Sequence, residues 1–309
     1  MALAHAQPAH GARKTIASGL LLAGAGAIAF SAKAIIVKLA YRYGVDAVTL
    51  IMYRMLFALP IFLFMAWWSS RHQPRLSRAD WGGIFGLGIT GYYLASYLDF
   101  AGLSYISASL ERLILYLNPT LVLILGRVLY ARVITRRQTL GMLVGYGGAI
   151  LVFGHEITLE GRDVALGALL VFLSVVSYAL YLIYAGELVR RLGSLRLVGL
   201  ATSVACVLCI GQFVVLRPWS AASVAPQVIW LSVLNATLCT AVPVLLVMMA
   251  IERIGAGIVS QVGMIGPLST ILMSVIVLGE PFTLWLLVGT SLVIAGIFVV
   301  TRDARTASG

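Results

Sequence analysis

Glu111 and Arg112 stand side by side in the run SASLERLILYLNPTLVLILG, which begins at Ser107 and is otherwise broken only by Asn118 and Pro119. An acid and a base in such a run have few uses. They can bind a zwitterion or an anion, pass a proton, or neutralise each other and orient the helix. A charge at the centre of a membrane span costs roughly 2.5–3.5 kcal/mol on insertion scales, less toward the interface, so it is retained for one of these. Glu111 is the only acid placed well inside an apolar run, which makes it the candidate for proton coupling. On a helix Glu111 and Asn118 are two turns apart and share a face, while Arg112, Tyr116 and Pro119 form the neighbouring stripe. Pro119 removes a backbone donor and frees the carbonyl near position 115, and Pro267 in MIGPLSTI does the same later in the chain. Either proline is a packing kink or the lip of a cavity.

Other polar groups fall at similar depth. Lys33 lies within the first apolar run, Arg54 within the second, and Asp99 at the end of the third. Lys33 either joins the site or snorkels to the surface; Arg54 reads as a packing residue. The later runs offer Asn235, Thr240, Ser260 and Gln261. A pathway between the two groups has a charged wall and a neutral hydrogen-bonding wall, which suits a zwitterionic or anionic organic molecule better than a lipophilic cation. Tyr92, Tyr93 and Tyr178 are further candidates for lining it, unless they anchor helices at the membrane interface. Phe30 and Tyr178, 148 residues apart, form a candidate pair of symmetric walls. His5, His10, His72 and His155 have no metal-ligand spacing. Ser174 and Ser177 have no histidine at comparable depth. Neither a metal, a cofactor nor a catalytic residue is expected.

The elements that must hold these groups are membrane helices. At 309 residues, 61% hydrophobic and 11% charged, with a mean hydropathy of +1.01, the chain cannot be a water-soluble domain. Runs of about 20 apolar residues suffice to cross the hydrocarbon core. Ten are present, near 16–38, 46–68, 80–98, 106–129, 138–154, 164–186, 195–217, 227–250, 256–278 and 283–301. Cys206, Cys209 and Cys239 fall within runs and read as buried thiols. The net charge of +11 could suggest nucleic acid, but its distribution is a topology signal. With the N-terminus inside, the inner segments hold fifteen bases, and the outer ones only Lys38, Arg42, Arg162 and Arg217. Both termini are therefore expected in the cytoplasm.

Sliding the chain on itself by 148 residues places Gly19 on Gly167, Pro119 on Pro267, Gly141 on Gly289 and Gly148 on Gly296, with every run facing a run. Five runs per half is an odd number, so the second half enters the membrane from the opposite side. The charges agree, since RVLYARVITRR in the first half corresponds to GEPFT in the second. The expected fold is an all-α membrane protein of ten helices in two inverted five-helix repeats, the plan of many secondary transporters. The expected divisions are a tail at 1–14, a first repeat at 15–154, a linker at 155–163 on the outer (periplasmic) side, a second repeat at 164–301 and a tail at 302–309.

LYLNPTLV, MIGPLSTI, the LGEP before the last run, YRMLFALP and GLSYISASLERLILYLNPTLV resemble the ten-helix drug/metabolite transporters with paired EamA domains. The resemblance covers roughly residues 15 to 301. It implies a basket-like bundle with a central cavity between the halves. It also implies carriage of a small metabolite, often an amino acid or related compound and often outward, across the cytoplasmic membrane. The chain departs from the pattern at Arg132, which aligns with Glu280 of LGEP, and at Glu111 and Arg112, where many members carry apolar residues. The expected partners are the small-molecule substrate, membrane lipid and, through Glu111, protons, with no nucleic acid. The chain is a monomer or a homodimer, as glycines suited to close helix approach allow. The competing functions are a flippase for a lipid or lipid-linked sugar, which needs a lateral groove, and a membrane-embedded enzyme, which needs an acid/base or metal cluster at the interface.

Overall fold

The structure, a computed structural model, describes residues 9–131, 133–160, 163–263 and 265–306, and the described residues contain no strand. The chain runs α1 (Ala9–Tyr41), α2 (Ala47–Ser70), α3 (Arg78–Leu87), a π-helical segment (Gly88–Leu94) and α4 (Ala95–Leu103). It continues with α5 (Ala108–Leu115), α6 (Asn118–Tyr130) and α7 (Arg136–Glu160). The second half holds α8 (Asp163–Leu192), α9 (Ser194–Leu216), a short 3₁₀ turn (Trp219–Ala222), α10 (Pro226–Ala236) and a π-helical segment (Thr237–Ala241). It closes with α11 (Val242–Val262), α12 (Ile265–Met273), a third π-helical segment (Ser274–Leu278) and α13 (Leu284–Thr306). Seven helices among the described residues are long and apolar enough to cross a membrane. Large apolar side chains such as Leu21, Val215, Trp230 and Ile276 face outward from the bundle, a surface stable only against lipid.

Several boundaries differ from the sequence expectation: α1 begins at Ala9, α8 runs to Leu192 and α13 to Thr306, and three further differences matter more here. α4 continues to Leu103, so Asp99 lies inside a helix, 3% exposed, and does not end its span. α7 continues to Glu160. The break expected near 251–255 is absent as a coil, because α11 is helical to Val262. Ile254 lies beside Gly19, yet Val262 lies beside Gly24, back toward the contact of Val247 with Gly26. A straight helix would carry Val262 about 12 Å further on. The reversal is therefore a bend within α11.

The two halves repeat one another. Tyr105 and Ile106 crowd Gly167, and the residues 148 positions on, Arg253 and Ile254, crowd Gly19. Gly148 abuts the carbonyl of Gly289, while Gly296 abuts that of Gly141, the same contact with the halves exchanged. Lipid is as apolar as leucine, so helices in a membrane are held by close packing, and glycine lets α7 and α13 approach backbone to backbone. The π-helical segments at Gly88–Leu94 and Thr237–Ala241 also correspond.

Candidate functional site

The break before Pro119 organises the centre of the bundle. α5 ends at Leu115, and Tyr116 and Leu117 form a turn before α6. In the second half α11 ends at Val262 and α12 begins at Ile265, two residues before Pro267. The two breaks meet: the Tyr116 hydroxyl donates to the Gly263 carbonyl at 2.6 Å. Ser31 on α1 donates to the Gly266 carbonyl at 2.9 Å, and Thr270 donates to the Ser31 carbonyl at 3.3 Å. Carbonyls released at mid-membrane must find donors in the protein or in a hydrated cavity, and at the break before Pro267 the first repeat supplies them.

Beside this junction lies a buried cluster of charge. Lys33 donates to Asp99 at 2.5 Å and stands 3.4 Å from Glu111. Glu111 is 0% exposed, and the Arg112 guanidinium reaches it only at 4.0 Å. Arg112 instead donates to the backbone carbonyls of Ser31 at 3.2 Å and Phe30 at 3.4 Å. Mutual neutralisation was one of the uses the sequence left open, but a helix points adjacent side chains about 100° apart, and each finds a nearer partner on α1. Both Glu111 oxygens, Asp99 Oδ1 and Arg112 Nε are buried without a hydrogen-bond partner. Buried charged groups seldom stay so, and these can accept or donate to water or to a bound molecule.

Arg54 ties α2 to the second repeat. Its guanidinium donates to Thr240 Oγ1 at 3.2 and 3.1 Å and lies over the Phe100 ring, 5.1 Å from the centroid. Thr240 donates in turn to the Asn235 carbonyl at 2.8 Å, and the buried Asn235 amide has no partner at either atom. Asn118 is half-buried, with its Oδ1 also unpartnered. Of the residues named from sequence, Lys33, Glu111 and Arg112 are thus brought together, with Asn235 tied to Arg54. Tyr92 and Tyr178 form a separate group around Tyr181: Tyr92 and Tyr181 share a 3.2 Å hydroxyl contact, and Tyr178 stacks on Tyr181 at 5.4 Å. Tyr181 itself packs among Ile84, Leu87, Leu197 and Ala201. Phe30 and Tyr178 are both exposed at the bundle surface. Tyr93 packs against the core of α1, α2 and α9. The side chains of Ser260, Gln261 and Pro267 lie outside the described ones. Asp99 and Thr240 were visible in the sequence as polar groups, but that Asp99 pairs with Lys33 and Thr240 with Arg54 was not. The paired helices are far apart in the chain.

A cavity of about 910 Å³ opens at the end of the bundle where α1 passes into α2. Lys38, Arg42, Asp46, Tyr97, Glu156 and Glu280 are among its walls. Tyr97 and Ser109 face it from positions two residues away from Asp99 and Glu111, on the opposite sides of their helices. The charged cluster therefore lies behind the cavity wall. Among the described side chains, none of the site residues named from sequence lines it.

Comparison with known proteins adds the lineage. Residues 17–154 and 165–302 each match the sequence model of the EamA-like transporter family. A protein of Bacillus subtilis (strain 168) named as an uncharacterized transporter, YcbK, is 28% identical over 290 residues, spanning 92% of this chain and 91% of that one. A second from the same organism, the uncharacterized transporter YyaM, is 28% identical over 223 residues, or 71% and 72% of the two chains. A crystal structure sharing 17% identity superposes with a TM-score of 0.62 over 95% of this chain and 99% of the other, which shows a common fold.

Proposed function

Since the chain belongs to the EamA-like transporter family, we propose that it is a secondary transporter exporting a small polar or zwitterionic metabolite, an amino acid or related compound. It works by alternating access in the cytoplasmic membrane, with both termini in the cytoplasm, and it is a carrier and not an enzyme. The observation that carries this reading is the buried cluster of Lys33, Asp99, Glu111 and Arg112. Its charges come from α1, α4 and α5 beside the junction of the two repeats, and several of its polar atoms have no partner. Charge is costly at that depth, and carriers of this architecture hold substrate and coupling ion between the repeats. The carboxylates of Asp99 and Glu111 would hold an amino group or a proton, and the guanidinium of Arg112 a carboxylate. Glu111 is the proton-coupling residue in this reading. The fifteen-to-four distribution of bases supports the orientation, which puts the 910 Å³ cavity at the outer mouth.

The test is transport by the purified protein in proteoliposomes against a panel of amino acids and related metabolites, with and without a proton gradient. Accumulation of a panel member that follows the gradient is expected. Glu111→Gln should keep substrate counterflow while losing gradient-driven accumulation. An unchanged pH profile in Glu111→Gln would remove the coupling role. Activity with lipid-linked substrates alone would replace the metabolite reading by a flippase. Cysteine at 158 should label from outside, and cysteine at 134 or 193 only from inside.

A further inference from the structure

We propose that Glu280 is a positioning residue for transport, a carboxylate from the second repeat that clamps the start of the helix bearing Glu111 and Arg112 and favours the outward-open state. The proposal rests on the carrier reading for its states and for which mouth is outer. Its geometry stands independently. One Glu280 oxygen accepts the Ala108 N–H at 2.8 Å; the other accepts the Ser109 N–H at 3.3 Å and the Ser109 hydroxyl at 2.8 Å. Ser109 also meets the Ser274 hydroxyl at 2.8 Å, a second link between the same two segments. Ser107 caps the next amide, Leu110, at 3.0 Å and donates to Glu156. A helix start leaves N–H groups without intrahelical partners and carries a partial positive charge. Here those groups are claimed by a side chain from residues 171 and 172 positions away, in the opposite repeat.

Glu280 is aimed by the turn before it. Gly279 adopts φ 73°, which ends the π-helical segment and turns the chain back toward α5. The corresponding residue of the first repeat, Ala131, adopts φ 52°, so the same turn is built at the other mouth. The residues around the two turns differ. After Ala131 comes Arg132, which lies outside the described residues, and the positions matching Ser107 and Ser109 are Gly255 and Gly257. A guanidinium has no acceptor for backbone N–H groups, and glycine has no hydroxyl. The positions matching Glu280, Ser107 and Ser109 therefore cannot build the same carboxylate clamp at the other mouth.

Alternating access in an inverted repeat rocks one repeat against the other. In this proposal the bond between repeats, which has no counterpart at the matching positions of the other mouth, is made in one state and broken in the other. In this structure the clamp is closed while Glu280 forms part of the wall of an open cavity. Arg42, at the end of α1, also donates to the Leu278 carbonyl at 2.6 Å and ties the same loop to that mouth. Closing the outer mouth must move this loop relative to α1 and α5, and the clamp resists it. Glu280 thereby sets how readily the helix carrying the charged cluster changes sides.

The experiment needs no substrate. In full-length protein lacking the three buried native cysteines, one reporter cysteine replaces Ser104, which lines the cavity. A second, in a separate variant, replaces Glu252, the position 148 residues on. Labelling by a membrane-impermeant maleimide is timed from outside in cells for the first and from inside in inverted vesicles for the second. Glu280→Ala should slow labelling at 104 and speed it at 252, each by about tenfold, within the usual range of coupling between sites and states. Glu280→Asp should restore part of the difference, and Ser109→Ala should give a smaller shift of the same sign. Unchanged rates at both reporters in folded protein would overturn the proposal. So would rates rising together, since a mere helix cap, when lost, loosens both mouths. A proteoliposome panel showing no transport would instead count against the carrier reading and leave the labelling result standing.

Discussion

Replacing Lys33 by methionine takes away the one ammonium that Asp99 and Glu111 share. The three side chains are 9%, 4% and 0% exposed, so water does little to screen what remains. Attraction varies inversely with distance, and the separations of 2.5 and 3.4 Å make the Asp99 contact the stronger by a factor of about 1.4. Removing one partner of a buried pair typically costs about 3–5 kcal/mol, because the other charge stays buried and uncompensated. Glu111→Gln should cost only about 1 kcal/mol, since Lys33 keeps its nearer acid and the amide fills the same space. Asp99→Asn should fall between the two. The triple variant Lys33→Met/Asp99→Asn/Glu111→Gln should return to within about 1 kcal/mol of the parent or exceed it, as apolar or neutral replacements of whole buried ion groups often do. Heating in detergent followed by size-exclusion chromatography ranks the four variants against the parent. If Lys33→Met melts like the parent, the assignment of Lys33 as counter-ion fails. It also fails if Glu111→Gln/Arg112→Met recovers what Glu111→Gln loses, for that would make Arg112 the true partner.

Gly289→Ala should destabilise the fold by about 1–3 kcal/mol, because its methyl would strike the Gly148 carbonyl and Val152 where α7 and α13 meet. Gly147→Ala, with open space around it, should melt within about 0.5 kcal/mol of the parent. In the turn between α1 and α2, burial raises the Asp46 carboxyl, but bonds from Thr49 and Arg217, the Thr49 amide and the Arg217 charge outweigh it and leave it below the usual 3.8. A depressed carboxyl contributes stability that is present above the unfolded value and lost as pH falls through the folded one. Asp46→Asn should therefore melt below the parent at pH 7, with the gap narrowing as the pH drops from about 4 toward 3. A gap independent of pH would show that the ionised carboxyl is not what stabilises the turn.

Much of this architecture can be read in one dimension because its causes are one-dimensional. A span must be apolar for about 20 residues, bases collect on one side, and a duplicated chain keeps glycines and prolines at a constant offset. The offset of 148 that aligns Gly141 with Gly289 and Gly148 with Gly296 is the one by which the contacts of α7 and α13 exchange. Pro119 and Pro267 likewise announced the two breaks, since a missing N–H acts within its own helix. The charged residues were visible too, because an ionisable group stands out in an apolar run.

Their partners were not visible. Glu111 and Arg112 are neighbours in sequence, and adjacency left a mutual pair open, but the helix turns them apart and α1 supplies Lys33 to one and backbone carbonyls to the other. Arg54 read as a packing residue; it meets Thr240, 186 positions away, through a π-helical segment with no sequence signal of its own. Glu280 stood out as part of LGEP, yet nothing in those four letters names Ala108 and Ser109 as its donors. By itself the sequence determined membrane insertion, the two inverted repeats, the helix breaks and which residues would have to bury charge, since each depends on composition or on bonds within a helix. The tertiary structure alone decided which charges neutralise one another and where the open cavity lies. Both depend on how helices distant in the chain are rotated and packed, and a few tens of degrees of rotation are enough to give a side chain a different partner.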